Sequence, residues 1–192
     1  SAAFGIAFAR ELLAAGAAPA ALVVGATTLN REEYASMQAV RAVSPHRARP
    51  FDRHRDGISL GEGGGAVVLE PVARATARGA RTDVRVSGAA CRVAGGARHA
   101  AASDHEVLAD CVDSALAEAG VSDLDYVHAH ATGTGQGDTA ELAVLDAVAD
   151  RLGATAVPVS SHKGGIGHLL HASFFPALAA AVRALRTATL PP

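Results

Sequence analysis

Two short stretches of this chain gather histidines, hydroxyls, a lysine and carboxylates among glycines. The first runs His128-Ala129-His130-Ala131-Thr132-Gly133-Thr134 and continues to Gly137, Asp138 and Glu141; the second runs Ser160-Ser161-His162-Lys163-Gly164-Gly165-Ile166-Gly167-His168. Each follows a short apolar run and precedes a helical pattern, so the histidines fall at strand-to-helix turns, where open α/β sheets usually place their sites. The glycines let backbone approach a ligand, and Thr132 and Thr134 offer hydroxyls to a polar, extended substrate arm. One such histidine alone reads as structural. Two in equivalent turns point to a shared site.

The elements around these turns read as a layered α/β fold. A helix is predicted over Ala2 to Ala15, stopped by Gly16, then a short apolar strand over Ala20 to Gly25, together resembling half of a parallel βαβ unit. A polar stretch, Asn30 to Gly57, reads as surface loop with one helix at Glu32 to Val40, and Gly61 to Gly65 leads into a strand over Ala66 to Leu69. A second unit opens with a strand over Asp83 to Cys91, then a helix over Asp104 to Ala119 capped by Ser103 and Glu106 and ended by Gly120. Strand Tyr126 to Ala129, helix Thr139 to Arg151, strand Val157 to Ser160 and helix Gly167 to Leu185 complete it. This alternation predicts a mainly parallel sheet covered by helices on both faces. The natural division is 1–82 and 83–192.

Bulk properties narrow the function classes. Of 192 residues, 49% are hydrophobic and 19% charged, enough for an ordinary core. Aromatics make up 4% and tryptophan is absent, so small side chains must fill much of the interior. A formal charge of −2 with scattered arginines gives no basic stripe for nucleic acid. Cys91 and Cys111 have no C-x-x-C spacing, so neither a disulfide framework nor a zinc site is expected, and the cytoplasm is the expected compartment. No apolar run reaches the roughly 20 residues of a membrane span, and no secretory leader is expected. His171, one turn beyond His168, has no third metal ligand beside it and reads as a packing or solvent-facing residue.

The two histidine loops also resemble a known family. His130-Ala131-Thr132-Gly133-Thr134 resembles the H-G-T-G-T motif of β-ketoacyl synthases, and the run from Lys163 to Gly167 and His168 resembles their K-x-x-x-G-H motif. Phe51-Asp52-Arg53-His54-Arg55-Asp56-Gly57, running on to Leu60-Gly61-Glu62-Gly63, is similar to the family's F-D-x-x-R-D-G-x-x-x-G-E-G segment. Asp138 and Glu141 stand where the family keeps an acidic pair. The resemblance implies a thiolase-like layered α/β fold and a decarboxylating Claisen condensation on thioesters carried by an acyl carrier protein, in fatty-acid or polyketide synthesis. It implies His130 and His168 as the catalytic histidines, Lys163 as an electrostatic support paired with Glu141, and Thr132 and Thr134 as binders of the phosphopantetheine arm. No metal or dissociable cofactor is implied, and the implied partners are the carrier protein and a second ketosynthase-like subunit, identical or not.

The chain departs from the family pattern in several places. The nucleophilic cysteine is not among its residues, and Ser1-Ala2-Ala3-Phe4-Gly5 resembles the segment immediately after it. Three explanations compete: a longer polypeptide whose cysteine precedes Ser1, cleavage at that point, or Ser1 itself as an N-terminal nucleophile using its α-amine as base. By motif, neither Cys91 nor Cys111 substitutes for it. The family's N-terminal region and a Gly-Phe-Gly-Gly-type loop are expected outside this stretch. Ala131 replaces a glycine, and His171, Ala172, Ser173, Phe174 and Phe175 replace small residues, bulk that would shrink or reshape an acyl pocket. The alternative reading is a non-catalytic partner subunit of the chain-length-factor type, and retention of both histidines and the lysine argues against it. A degradative thiolase would carry a second cysteine near the C-terminus, and a pure scaffold is the remaining alternative.

Overall fold

The computed structural model of the chain describes residues 2–93, 101–154 and 156–191, the side chains of 101–104 excepted. Helix α1 (Ala2–Ala14) leads into strand β1 (Ala21–Thr27), helix α2 (Arg31–Ala39), strand β2 (Gly63–Leu69) and the short helix α3 (Val72–Ala77). The second part holds α4 (Ala101–Ala119), β3 (Val127–His128), α5 (Gly135–Arg151), β4 (Val159–Ser160), a single turn α6 (Lys163–Ile166), a 3-10 turn at Leu170–Ala172 and α7 (Phe174–Thr187). Ser1 lies outside the described residues.

Local chemistry accounts for most of these boundaries. Helix α1 ends in a Schellman turn: Gly16 takes φ of 67°, its N–H donates to Leu13 O at 3.1 Å, and Ala17 N–H donates to Leu12 O at 2.9 Å. Gly120 closes α4 in the same way. Helix α2 is capped by Asn30, whose side chain accepts from Glu33 N–H at 2.8 Å. Helix α4 begins at Ala101, ahead of the expected Ser103 cap, and the Ser103 side chain lies outside the described residues.

Strand pairing corrects the sequence reading at several points. Strand β1 pairs with β2 antiparallel, in the register Ala21 with Leu69 through Thr27 with Gly63, where a parallel βαβ half was expected. Apolar alternation reports which face is buried and is blind to strand direction. Among the described strands β3 and β4 pair in parallel, over two residues each, and Val43–Ile58 and Leu60–His168 form isolated parallel bridges. Residues 83–93 form no strand: Gly88 lies flat against α4, where a Cβ would strike the Ala115 carbonyl, and the segment finds no ladder partner among the described residues. The single helix expected over Gly167 to Leu185 is broken into a 3-10 turn and α7, because Gly167 (φ 83°) and Leu170 (φ 43°) leave the helical region.

The core beside the second histidine loop is built on small residues. Ala2, Leu169, Ala172 and Phe175 form one buried cluster, with Val23 and Val67 packed against it. Gly25 and Gly65 face each other across the β1–β2 pair, and the Phe175 ring occupies the notch they leave. The bulk noted at Phe175 is thus absorbed as core packing. A Cβ on Gly65 would stand 2.5 Å from Phe175 Cβ and Cγ, so Gly65→Ala is expected to destabilise by ~1–3 kcal/mol. Urea titration checks this, and an unchanged midpoint would contradict the packing.

Candidate functional site

The end of β3 and the start of α5 shape the first histidine loop. Glu141, in the second turn of α5, accepts from both His130 N–H at 2.7 Å and Ala131 N–H at 2.6 Å. Ala131 takes φ of 37°, a left-handed conformation that a glycine would adopt without its Cβ strain. Thr134 caps α5 by accepting from Gly137 N–H at 3.2 Å, and its hydroxyl lies 3.0 Å from that of Thr132. The mutual bond consumes one of the two hydroxyl hydrogens, leaving one to donate elsewhere. Both threonines therefore have structural work in the loop beside any contact with ligand.

A third segment locks this loop from below. Asp138 is fully buried at the first turn of α5; one carboxylate oxygen accepts from Gly133 N–H at 3.1 Å and the other from Phe51 N–H at 2.8 Å. Arg55 Nε stands 3.8 Å from the same carboxylate, and Arg55 donates to Thr139 Oγ1 at 2.6 Å. Gly57 N–H donates to Gly133 O at 2.9 Å. The 51–57 segment and the 130–134 loop are thus one hydrogen-bonded unit pivoting on Asp138. The sequence marked Asp138 by resemblance alone; its signal as a pivot was a carboxylate at the first turn of a helix, where free N–H groups gather.

The second histidine loop is backed by residues 59–61. His168 N–H donates to Ser59 O at 2.7 Å, and Gly61 N–H donates to His168 O at 3.1 Å. His168 Nδ1 accepts from Leu170 N–H at 2.9 Å, with Ser173 Oγ at 3.3 Å. An accepting Nδ1 in a neutral ring puts the proton on Nε2, so His168 presents a free Nε2–H donor.

The two loops converge. The rings of His130 and His168 lie edge to face with centroids 5.3 Å apart and planes at 89°. Lys163, 3% exposed, donates from Nζ to the carbonyl of His130, and Ser161 Oγ donates to Ala131 O at 3.3 Å. The expected direct pairing of Lys163 with Glu141 is replaced by a shared residue: Glu141 takes the N–H of His130 and Lys163 takes its carbonyl, while the carboxylates of Glu141 and Asp138 favour the ammonium from farther away. No ion pair joins Lys163 to a carboxylate among the described residues.

The electrostatics keep the histidines neutral. Burial first, and the Lys163 charge second, push His130, His162 and His168 from 6.5 down to about 4. His130 remains exposed on one side, so water screens part of this effect. Burial also pushes Lys163 down to about 8, which leaves the ammonium the main form at neutral pH. For the histidines the unfolded chain binds more protons between pH 6.5 and about 4, so stability is complete above 6.5 and is lost as pH falls toward 4. Thermal melts should therefore show a lower midpoint at pH 5 than at pH 7. A flat midpoint across that window would show that the rings titrate normally in the fold.

Residues 84–192 match the family described as beta-ketoacyl synthase, C-terminal domain, and residues 1–75 match beta-ketoacyl synthase, N-terminal domain. The chain is 37% identical over 199 residues to the tetracenomycin polyketide synthase ketoacyl synthase alpha subunit of Streptomyces glaucescens, covering 97% of this chain and 46% of that one. Among solved structures it is similar to the ishigamide ketosynthase/chain length factor, with a TM-score of 0.82 and 31% identity over 97% of this chain and 46% of the other. It is also similar to the complex of a type II polyketide synthase acyl carrier protein with its ketosynthase bound to a hexaketide, with a TM-score of 0.85 and 27% identity over 95% and 47% of the two chains. The chain spans less than half the length of these relatives.

Proposed function

Because the chain belongs to the β-ketoacyl synthase family and shares its thiolase-like α/β fold, we propose that it forms the C-terminal catalytic part of a condensing enzyme acting on thioesters held by an acyl carrier protein. The observation that carries this reading is the meeting of His130 and His168 with the His168 Nε2–H free to donate. In the half-reaction assigned to these rings, a malonyl thioester loses carbon dioxide and the electrons of the broken C–C bond pass into an enolate. The enolate oxygen lies against the imidazole donors, and its carbon attacks an acyl thioester on a cysteine, releasing the thiolate. Lys163 holds the His130 backbone in place, and burial first with its charge second keeps both rings neutral, so that they donate hydrogen bonds and do not protonate the enolate carbon. Thr132 and Thr134, with one spare hydroxyl hydrogen, would meet the phosphopantetheine arm.

We infer that the acylated cysteine stands directly ahead of Ser1, where the resemblance of Ser1 to Gly5 to the segment after the family's nucleophile would put it. What supports this is that Ala2, at the start of α1, packs in one buried cluster with Leu169 and Ala172, and Leu169 directly follows His168. The helix start also favours thiolate over thiol. Iodoacetamide labelling of the full native polypeptide, followed by peptide mapping, is expected to modify the residue joined to Ser1 rapidly and Cys91 slowly, since burial first, and Cys111 second, raise the Cys91 thiol pKa. A free amine on Ser1 in a fully active preparation would rule out a cysteine joined to Ser1 and leave cleavage at that point or Ser1 itself as the nucleophile.

The overall reading is tested by incubating the full polypeptide with malonyl-loaded acyl carrier protein and an acyl donor. Release of carbon dioxide with a 3-ketoacyl product supports it. Absence of both, with carrier binding intact, would favour the partner-subunit reading, in which the second ketosynthase-like chain supplies the chemistry. No described helix is long and apolar enough to cross a membrane, and a cytoplasmic setting fits the two unpaired cysteines.

A further inference from the structure

Beside the catalytic pair lies a second pair of histidines whose side chains the chemistry above does not use. His128 Nε2 is 2.9 Å from His162 Nδ1, and the two rings are nearly parallel at 10° with centroids 5.2 Å apart. That separation equals the nitrogen–nitrogen distance plus a ring radius at each end. The rings therefore lie side by side in a common plane with an N–H aimed along the line between them. At the far end, His128 Nδ1 is 2.6 Å from Tyr126 Oη, which is also 2.6 Å from Ser160 Oγ. At the near end, His162 Nε2 is buried and has no partner among the described residues.

This arrangement admits two directions of donation, and the orphan atom chooses between them. If Tyr126 donates to His128, then His128 donates to His162 and a buried N–H is left at His162 Nε2 with nothing to receive it. In the reverse direction, His162 Nδ1–H donates to His128 Nε2, His128 Nδ1–H to Tyr126 Oη, and Tyr126 O–H to Ser160 Oγ. Every ring then donates once, and only a lone pair at His162 Nε2 stays unpaired, in the positive field of Lys163. An orphaned donor is the rarer and costlier case.

The position of the pair gives it a task. Strands β3 and β4 pair over only two residues each, then part into the two histidine loops. His128 is the last residue of β3, two before His130, and the carbonyl of His162 accepts from Gly165 N–H at 2.9 Å and Ile166 N–H at 3.0 Å, opening the single turn α6. Lys163 is the first residue of that turn. A turn of four residues has little stability of its own, so an external tie must fix where it begins. We propose that His128 and His162 are positioning residues: their shared N–H···N bond, oriented by Tyr126 and Ser160, extends the short ladder and seats Lys163 on the His130 carbonyl. The catalytic consequence rests on the condensing-enzyme reading; the seating of Lys163 does not.

The test uses the full native polypeptide and three variants. His162→Leu removes the bond; His162→Asn offers an amide N–H where Nδ1 stood and restores it; Tyr126→Phe loosens the chain without touching either ring. Nitrogen-15 NMR is expected to find both rings of the unsubstituted protein in the Nδ1–H form, and the Lys163 titration near pH 8. In His162→Leu the Lys163 midpoint should move upward toward that of a solvated lysine, with malonyl decarboxylation slowed by ~10- to 100-fold in kcat and KM held within about twofold. His162→Asn should return both readings to within about threefold of the unsubstituted protein. Tyr126→Phe should let the His128 tautomer interconvert and move Lys163 less, in the same direction. A Lys163 titration and a His128 tautomer left untouched by His162→Leu and Tyr126→Phe would overturn the proposal. Because the NMR arm needs no turnover, a protein without decarboxylase activity would refute the condensing-enzyme reading while the positioning role is still decided.

Discussion

Replacing His168 by alanine is expected to slow malonyl decarboxylation by about 100- to 1,000-fold, the usual cost of removing one preorganised oxyanion donor. The Nδ1 face of His168 is committed to Leu170 N–H, so what the ring can give a substrate is its Nε2–H. Acyl transfer to the cysteine proposed ahead of Ser1 needs no enolate and should fall much less. Alanine also deprives Leu170, held at φ of 43°, of its acceptor, so loop damage must be separated from lost donation. His168→Asn does this: its side-chain oxygen stands where Nδ1 accepts, but nothing reaches the Nε2 position. It should keep the melting midpoint and still lose decarboxylation. His130→Ala is expected to behave like His168→Ala, since the two rings meet edge to face. Single-turnover assays of the two half-reactions read the outcome, and equal loss in both would assign these histidines a structural role.

Replacing Asp138 by alanine is expected to cost ~3–5 kcal/mol of stability, the range for stripping one partner from a buried charged network. The carboxylate is fully buried and satisfies two backbone N–H groups, those of Gly133 and Phe51, from segments far apart in sequence. Alanine leaves both donors unpaired and the buried Arg55 Nε without its nearest negative charge. Asp138→Asn should recover only part of the loss, because an amide can accept from one N–H but presents its own donors to the other. Chemical denaturation gives the free energies. A loss under about 1 kcal/mol for alanine, the net worth of one ordinary hydrogen bond, would mean that solvent reaches these groups and that Asp138 is not the pivot.

Much of this site was legible before any coordinates. The residue types in the two loops, their glycines and their places after short apolar runs are local features, and the chain does put His130 two residues past β3 and His168 in the loop after β4, beyond the turn α6. The helix expected from Thr139 held Glu141 and left Asp138 just ahead of it; α5 begins at Gly135, so both lie on its first two turns, where they hold backbone of the preceding loop. The use of Glu141 was not legible. A carboxylate and a lysine suggest an ion pair, whereas here each finds a different group of His130, because two unpaired N–H groups at a sharp turn compete for the carboxylate and win.

By itself the sequence determined what depends on a few neighbouring residues: helices α1 and α4 with their glycine stops, the small-residue core, and the two turns that carry imidazoles. These follow from propensity, capping and backbone freedom, which act within one or two helical turns. Tertiary structure alone decided the antiparallel pairing of β1 with β2, the breaking of the helix after His168, the burial of Phe175 in the notch between Gly25 and Gly65, and the coplanar bond of His128 with His162. Each of these joins residues distant in the chain, and alternation or composition has the same value whichever partner arrives. The direction of a strand and the tautomer of a ring are settled only when a specific donor meets a specific acceptor in a space from which water has been removed.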